Sequence, residues 1–461
     1  MFRIRKSGNP VLYALFALVV SASLLPMARA QFVQQGGKLV GTGAVGIDVE
    51  QGTSAALSAD GNTAILGAQN DNGNAGAAWV FTRTAGVWRQ QGSKLVGAGG
   101  VSPALQGKSV ALSADGSTAI VGGQGLFDAV GAAWVYTRSG GVWSQQGDKL
   151  VGTGGAGSAR QGASVALSAD GNTAIVGGYV DNGGRGAAWV YTRSGNVWSQ
   201  QGGKLVGAGA VEGVVGAQQG TSVALSADGN TAIVGGVGDN GNAGAAWVYT
   251  RSDGAWRQQG PKLVGTGAVE GVVGAQQGYS VALSADGNTA IVGGLGDTLR
   301  LGATWAYTRS GGVWSQQGDK LVGTGAIGPA LQGSTVALSA DGNTAIVGGY
   351  RDNAFIGAVW VYTRSGGVWS QQGGKLVGTG AVGSDAEQGS AVALSADAST
   401  AIVGGPKDNG GAGAAWVFVN PSVSTAPSIA SGGVVNGASF LPGIAPGTWT
   451  TIQGSNLSAT T

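Results

Sequence analysis

The chain has 461 residues, 92 of them Gly, with only 10% charged residues and a formal net charge of +2. That balance lacks the basic surplus that a nucleic-acid surface needs. There is no Cys and no His, which excludes disulfides, thiolate metal sites and any His-dependent catalytic arrangement.

The first thirty residues differ from the rest. Arg3, Arg5 and Lys6 precede an apolar run from Val11 to Leu25, followed by Ala28-Arg29-Ala30. A basic start, an apolar stretch and a small-x-small end form the order of a secretory signal peptide. The run is short for a membrane span of about 20 residues. Residues 1–30 are therefore expected to be a signal peptide cleaved near Ala30. The mature chain would begin at Gln31 and be secreted, periplasmic or on the cell surface, with no membrane span.

From Gln31 to about Pro421 the sequence repeats. The Asp of "SAD" recurs at Asp60, Asp115, Asp170, Asp228, Asp286, Asp341 and Asp397, at spacings of 55, 55, 58, 58, 55 and 56. A Trp recurs in step, at Trp79, Trp134, Trp189, Trp247, Trp305, Trp360 and Trp416. Each unit predicts four strands: "SVALS", "TAIVGG", "GAAWVYTRS" and "VWSQQGDKLVG". The breaks between them are turn chemistry, since "ADGN" and "RSGG" supply the Gly that hairpin turns need. Four short strands per unit in tandem point to the blades of a β-propeller rather than an open solenoid.

The termini favour a closed ring. The seventh unit stops at "AAWVFVNPS" without its fourth strand, whereas a fourth-strand text without the rest of its unit, "FVQQGGKLVG", begins at Phe32. The N-terminal strand is expected to complete the last blade. That closure leaves no open sheet edge. The fold class predicted is all-β, a seven-bladed propeller over residues 31–421.

The pattern "QGxSVALSADGNTAIVGG…DNGxxGAAWVYTRSGGVW" resembles the FG-GAP repeat of integrin alpha-type propellers and secreted bacterial proteins. The resemblance covers Gln31 to about Pro421 and implies an adhesion or binding role. In that family the loop after the first strand often holds calcium with several carboxylates. Here each loop has one Asp, and calcium wants six to eight oxygens. Each Asp is read as a turn residue bonding its own backbone, and no cofactor is expected. Beyond Pro421, Val434 to Leu457 resembles the start of an Ig-like C-terminal domain of secreted acidobacterial proteins. Residues 422–461 are expected to be a linker and an incomplete Ig-like segment.

Most charges belong to the repeat, and the recurring Lys and Arg positions are read as solvated strand ends and turn tips. Chemistry is sought where the units disagree. Two loops vary, one between the second and third strands and one between blades. Strand alternation brings both to one face, where loops on a rigid scaffold carry function. Candidate ligand-binding residues there are Phe127, Tyr179, Arg185, Arg300, Tyr350, Arg351, Phe355 and Lys407, as aromatics beside cations suit a protein or glycan contact. Ring closure should also bring Asp48, Glu50, Asp385 and Glu387 together, where they could attract a cation or act as paired acids. The leading expectation is a monomeric, non-enzymatic exported module that binds an extracellular protein or polysaccharide. The alternatives are a carbohydrate-active hydrolase or lyase and a ligand-free structural repeat.

Overall fold

The computed structural model describes residues 31–126, 129–269, 271 and 273–421, and the backbone of Ser428–Asn436 and Thr450–Ser455. Seven four-stranded antiparallel sheets follow one another along the chain. The first blade shows the pattern. After a short β1 (Val33–Gln34) come β2 (Ser54–Leu57), β3 (Thr63–Ala68), β4 (Ala77–Thr84) and β5 (Val87–Gln90), with β2 innermost. The long fourth strand expected from the sequence is interrupted. It is regular only to Gln90, and after a bend Leu95 rejoins Ala78 through a single bridge.

The ring closes through β1. Val33 and Gln34 pair with Val419 and Phe418 of the third strand of the last blade, Ala414–Val419. A second closure runs from hairpin to hairpin at the end of each inner strand. The amide of Ala59 donates to the Ala114 carbonyl, Ala114 to Ala169, then Ala227, Ala285, Ala340 and Ala396, and Ala396 returns to Ala59, each at 2.8–2.9 Å. Each of these Ala residues is the middle of "SAD". The Asp that follows stays in its own turn: Asp60 Oδ1 accepts from the Asn62 amide at 2.9 Å and from Ser58 Oγ at 2.5 Å. Gly61, at φ +65, completes the turn.

The core lies between blades. The seven Trp side chains of the third strands are essentially inaccessible to solvent. Trp79 packs with Val49, ahead of the first inner strand, and with Leu39, Ile402 and Val417 of the last blade, where Leu39 bridges Ala415. Its indole N–H donates to the Thr42 carbonyl at 2.7 Å, satisfying the one polar group it buries.

The repeated cations are not the solvated side chains expected from the sequence. Lys38, Lys94, Lys204, Lys262, Lys320 and Lys375 each pair with an Asp whose side chain is at most 1% exposed: Asp408, Asp71, Asp181, Asp239, Asp297 and Asp352. The Asp begins a tight loop after the second strand, and burial there requires a charged partner. The repeated Arg residues also pack inward. Arg83 lies over the Trp88 ring at 5.3 Å and donates to Gln35 Oε1, Asn62 Oδ1 and Thr400 Oγ1.

The signal-peptide expectation, residues 1–30, lies outside the described residues. So does most of the expected Ig-like segment, of which the backbone of two strands, Ser428–Asn436 and Thr450–Ser455, pairs antiparallel. Among the described residues no helix is long and apolar enough to cross a membrane.

Candidate functional site

The seven inner strands surround an axial channel. Toward the "ADGN" hairpins its wall includes Leu57, Leu112, Leu167, Leu225, Leu283, Leu338 and Leu394, one from each blade, and it encloses about 300 Å³. Toward the variable loops it opens into a mouth of about 220 Å³, lined by hydroxyl-bearing residues such as Ser54, Ser222, Ser280, Ser334 and Thr335, with Tyr279 among them. One end of the channel is therefore an aliphatic collar common to all units. The other mixes hydroxyl-bearing and aliphatic side chains and differs from blade to blade.

An unvarying device presents those differences. Every unit has Gln-Gly just before the inner strand. The Gln is buried, and its carboxamide makes two bonds to one glycine backbone: Gln51 Oε1 accepts from the Gly41 amide at 2.5 Å and Gln51 Nε2 donates to the Gly41 carbonyl at 2.9 Å. The same pair recurs at Gln106, Gln161, Gln219, Gln277, Gln332 and Gln388. The residue ahead of this clamp is left-handed in all seven units. Glu50, Leu105, Arg160, Gln218, Gln276, Leu331 and Glu387 have φ of 54–63°. Non-Gly residues rarely adopt this backbone, and the surroundings must over-determine it. The clamp fixes the backbone and leaves the side chain free to vary.

Ring closure brings part of the predicted acidic cluster together, and a cation is already in it. Lys407 Nζ lies 2.5 Å from Glu50 Oε1 and 3.2 Å from Asp48 Oδ1, while Gln69 Nε2 donates to the other Glu50 oxygen at 3.0 Å. Burial pushes the Glu387 carboxyl above its ordinary value. Lys407 opposes that shift, Glu50 and Asp385 add to it, and Arg351 also opposes it. The Lys407 ammonium is held above its ordinary value, because its bonds to Glu50 and Asp48 outweigh burial. Among the described residues no group of three or more acidic side chains has the geometry to hold a metal ion.

The predicted aromatic and basic residues separate into two groups. Tyr350 stands by the cluster. Burial and then Glu387 push its phenol up, and Arg351 and Arg300 oppose them. The Arg351 guanidinium covers the Phe355 ring at 4.4 Å, and the Phe355 carbonyl accepts from the Glu387 amide at 2.8 Å. Tyr179 Oη bonds Arg160 Nη1 at 2.7 Å. Arg185 pairs instead with Glu212. Phe127 lies outside the described residues.

Sequence reasoning missed Tyr279 and Lys108. Both stand two residues after the clamp Gln, in "QQGYS" and "LQGKS", where the other units have Thr53, Ala163, Thr221, Ser334 and Ser390. Tyr279 is 37% exposed in the mouth. Burial raises its phenol, as do the nearby phenols of Tyr350 and Tyr179. Burial lowers the Lys108 ammonium, and Glu50 opposes that shift. The signal was available, as this position varies while Gln-Gly does not. The position lies between the variable inter-blade loop and the "SVALS" strand.

The fold defines the chain as a seven-bladed β-propeller with an asymmetric channel mouth. Neither a protein-family model nor a curated protein matches the chain.

Proposed function

We propose that this is an exported, non-enzymatic binding module that takes an extracellular protein or polysaccharide at the variable mouth of its axial channel. The observation that carries the reading is Tyr279, part-exposed in the channel mouth, with Tyr179 and Tyr350 near enough to act on its phenol and Arg300 and Arg351 near enough to act on that of Tyr350. Tyr and Arg supply large contact area and directed hydrogen bonds at modest entropic cost. The FG-GAP-like repeat pattern agrees with an adhesion-type role, and the basic, apolar and small-residue order of residues 1–30 supports export. Calcium is not part of this reading, because each "SADGN" Asp already spends its carboxylate on its own turn.

The test is binding of the mature chain to immobilised extracellular polysaccharides and secreted proteins, with Tyr279→Ala and Tyr350→Ala alongside. Each variant should weaken capture of the bound polymer about tenfold or more, the range of an interfacial aromatic hot spot, with the thermal transition unchanged. Equal capture by wild type and both variants sinks the proposal.

A second reading draws on one observation. Glu387, raised by burial, and Glu50, paired with Lys407, put two carboxyls on one rim, and a hydrolase or lyase acting on carbohydrate uses such a pair. Release of reducing ends that is lost in Glu387→Gln and retained in Tyr279→Ala would select it.

A further inference from the structure

Six of the seven units carry the same buried arrangement. One Asp oxygen takes the Lys ammonium, and the other accepts a backbone amide at 2.7 Å, from Val45, Ala156, Val211, Val269, Ile327 or Val382. Among the described residues the second blade has the Lys and the backbone but no acid in that place, and Asp128, two positions on, lies outside the described residues. Counting from the paired glycines, Leu126 stands where Asp181 stands in the next unit. Lys149, the counterpart of Lys204, turns to the Gly99 carbonyl at 2.7 Å. Val101, the counterpart of Ala156, donates its amide to no described residue.

A cavity of about 510 Å³ opens at this place, lined by Val101, Pro103, Leu126, Val130, Trp134 and Lys149. Its size suits a small molecule, and its wall is mostly apolar with one cation. The other six blades show what anion the two donors are spaced for: a carboxylate, with one oxygen on the ammonium and one on the amide.

We propose that the second blade binds a small organic monocarboxylate. The head group would take the place of the missing Asp between Lys149 Nζ and the Val101 amide, and an alkyl or aryl tail would lie along Pro103, Leu126 and Trp134. Charge-assisted bonds to a partly desolvated carboxylate give the head group its selectivity, and burial of the tail gives affinity. The site is distinct from the channel mouth and does not depend on the function proposed for it.

The test is calorimetric titration of the mature chain with octanoate and, separately, octan-1-ol. Octanoate should bind saturably and about tenfold or more tightly than the alcohol, the worth of hydrogen bonds to a charged group. Leu126→Asp, which supplies the blade with its own carboxylate, should weaken octanoate binding by about tenfold or more while its thermal transition stays at or above that of wild type. Lys149→Met should bind acid and alcohol alike. Absence of saturable octanoate binding, equal affinity for acid and alcohol in the wild type, or full octanoate binding by a folded Leu126→Asp protein each overturns the proposal.

Discussion

Lys407 of the last blade places its ammonium 2.5 Å from the carboxylate of Glu50, which precedes the first inner strand. The two residues are 357 apart in sequence and meet only because the propeller closes. The same seam is held by the two-residue β1, by Phe32 and by Leu39, so a small part of the N-terminal segment carries the closure.

Phe32 is the sharpest probe of that seam. It is 4% exposed and packs with Trp416 and Phe418. Phe32→Ala should lower the unfolding free energy by about 3–5 kcal/mol, as for other buried aromatic truncations, measured by urea denaturation. Removing residues 31–40 should do more, because it bares the edge of Ala414–Val419. Concentration-dependent association in light scattering is the expected outcome.

The Asp–Lys pairs make a second prediction. Asp239 is buried between Lys262 Nζ at 2.6 Å and the Val211 amide at 2.7 Å. Asp239→Asn leaves the ammonium unpaired and should cost about 3–5 kcal/mol, as broken buried pairs do. The double variant with Lys262→Met should be less destabilised than the single one, which urea melts of the three proteins would show.

Close packing at the Trp makes a third. A Cβ on Gly207 would sit 2.1 Å from Trp247 Cδ1, and the indole, bonded to the Ala208 carbonyl at 2.9 Å, has little room to retreat. Gly207→Ala should destabilise by about 1–3 kcal/mol, the usual cost of overpacking. Gly203→Ala, where a Cβ meets nothing within 4 Å, should be near neutral and serves as the control.

The turn carboxylates give a pH dependence. Burial alone would raise Asp115 and Asp170, but hydrogen bonds from Ser113 and Ser117, and from Ser168 and Asn172, outweigh it and hold both below the ordinary value. The same net direction holds for Asp60, Asp228, Asp286, Asp341 and Asp397. A depressed folded pKa adds stability above the unfolded value of about 3.9, and that stability is lost as pH falls through the folded pKa. The urea midpoint should change little from about pH 5 to 7 through these groups and drop below about pH 4. Asp115→Asn with Asp170→Asn should flatten that drop.

Much of this was legible in the sequence because a repeat states its own architecture. The spacing of Asp60 to Asp397, the missing final strand and the stray "FVQQGGKLVG" were enough to place β1 beside the last blade. Asp48, Glu50 and Lys407 could be assigned to one face by strand alternation. Their pairing could not, since it depends on the side-chain path across the seam. Tyr279 and Lys108 were overlooked because strand periodicity gives the direction of a side chain but not its distance from the ring axis. The repeated Lys residues looked solvated because in sequence each lies 23 residues from its Asp in the same blade, or at the opposite end of the chain for Lys38.

By itself the sequence determined the number of blades, the order of strands within each and the segment that closes the ring. Local alternation, turn residues and repeat count are properties of a chain read in one dimension. The tertiary structure decided which side chains meet. It set Lys407 on Glu50, placed Tyr279 in the channel mouth near Tyr179 and Tyr350 of other blades, and left Lys149 and Leu126 lining one cavity where six other blades have a carboxylate. Such contacts arise from distance across a closed ring, where residues hundreds of positions apart become neighbours and the requirement to pair each buried charge selects the partner.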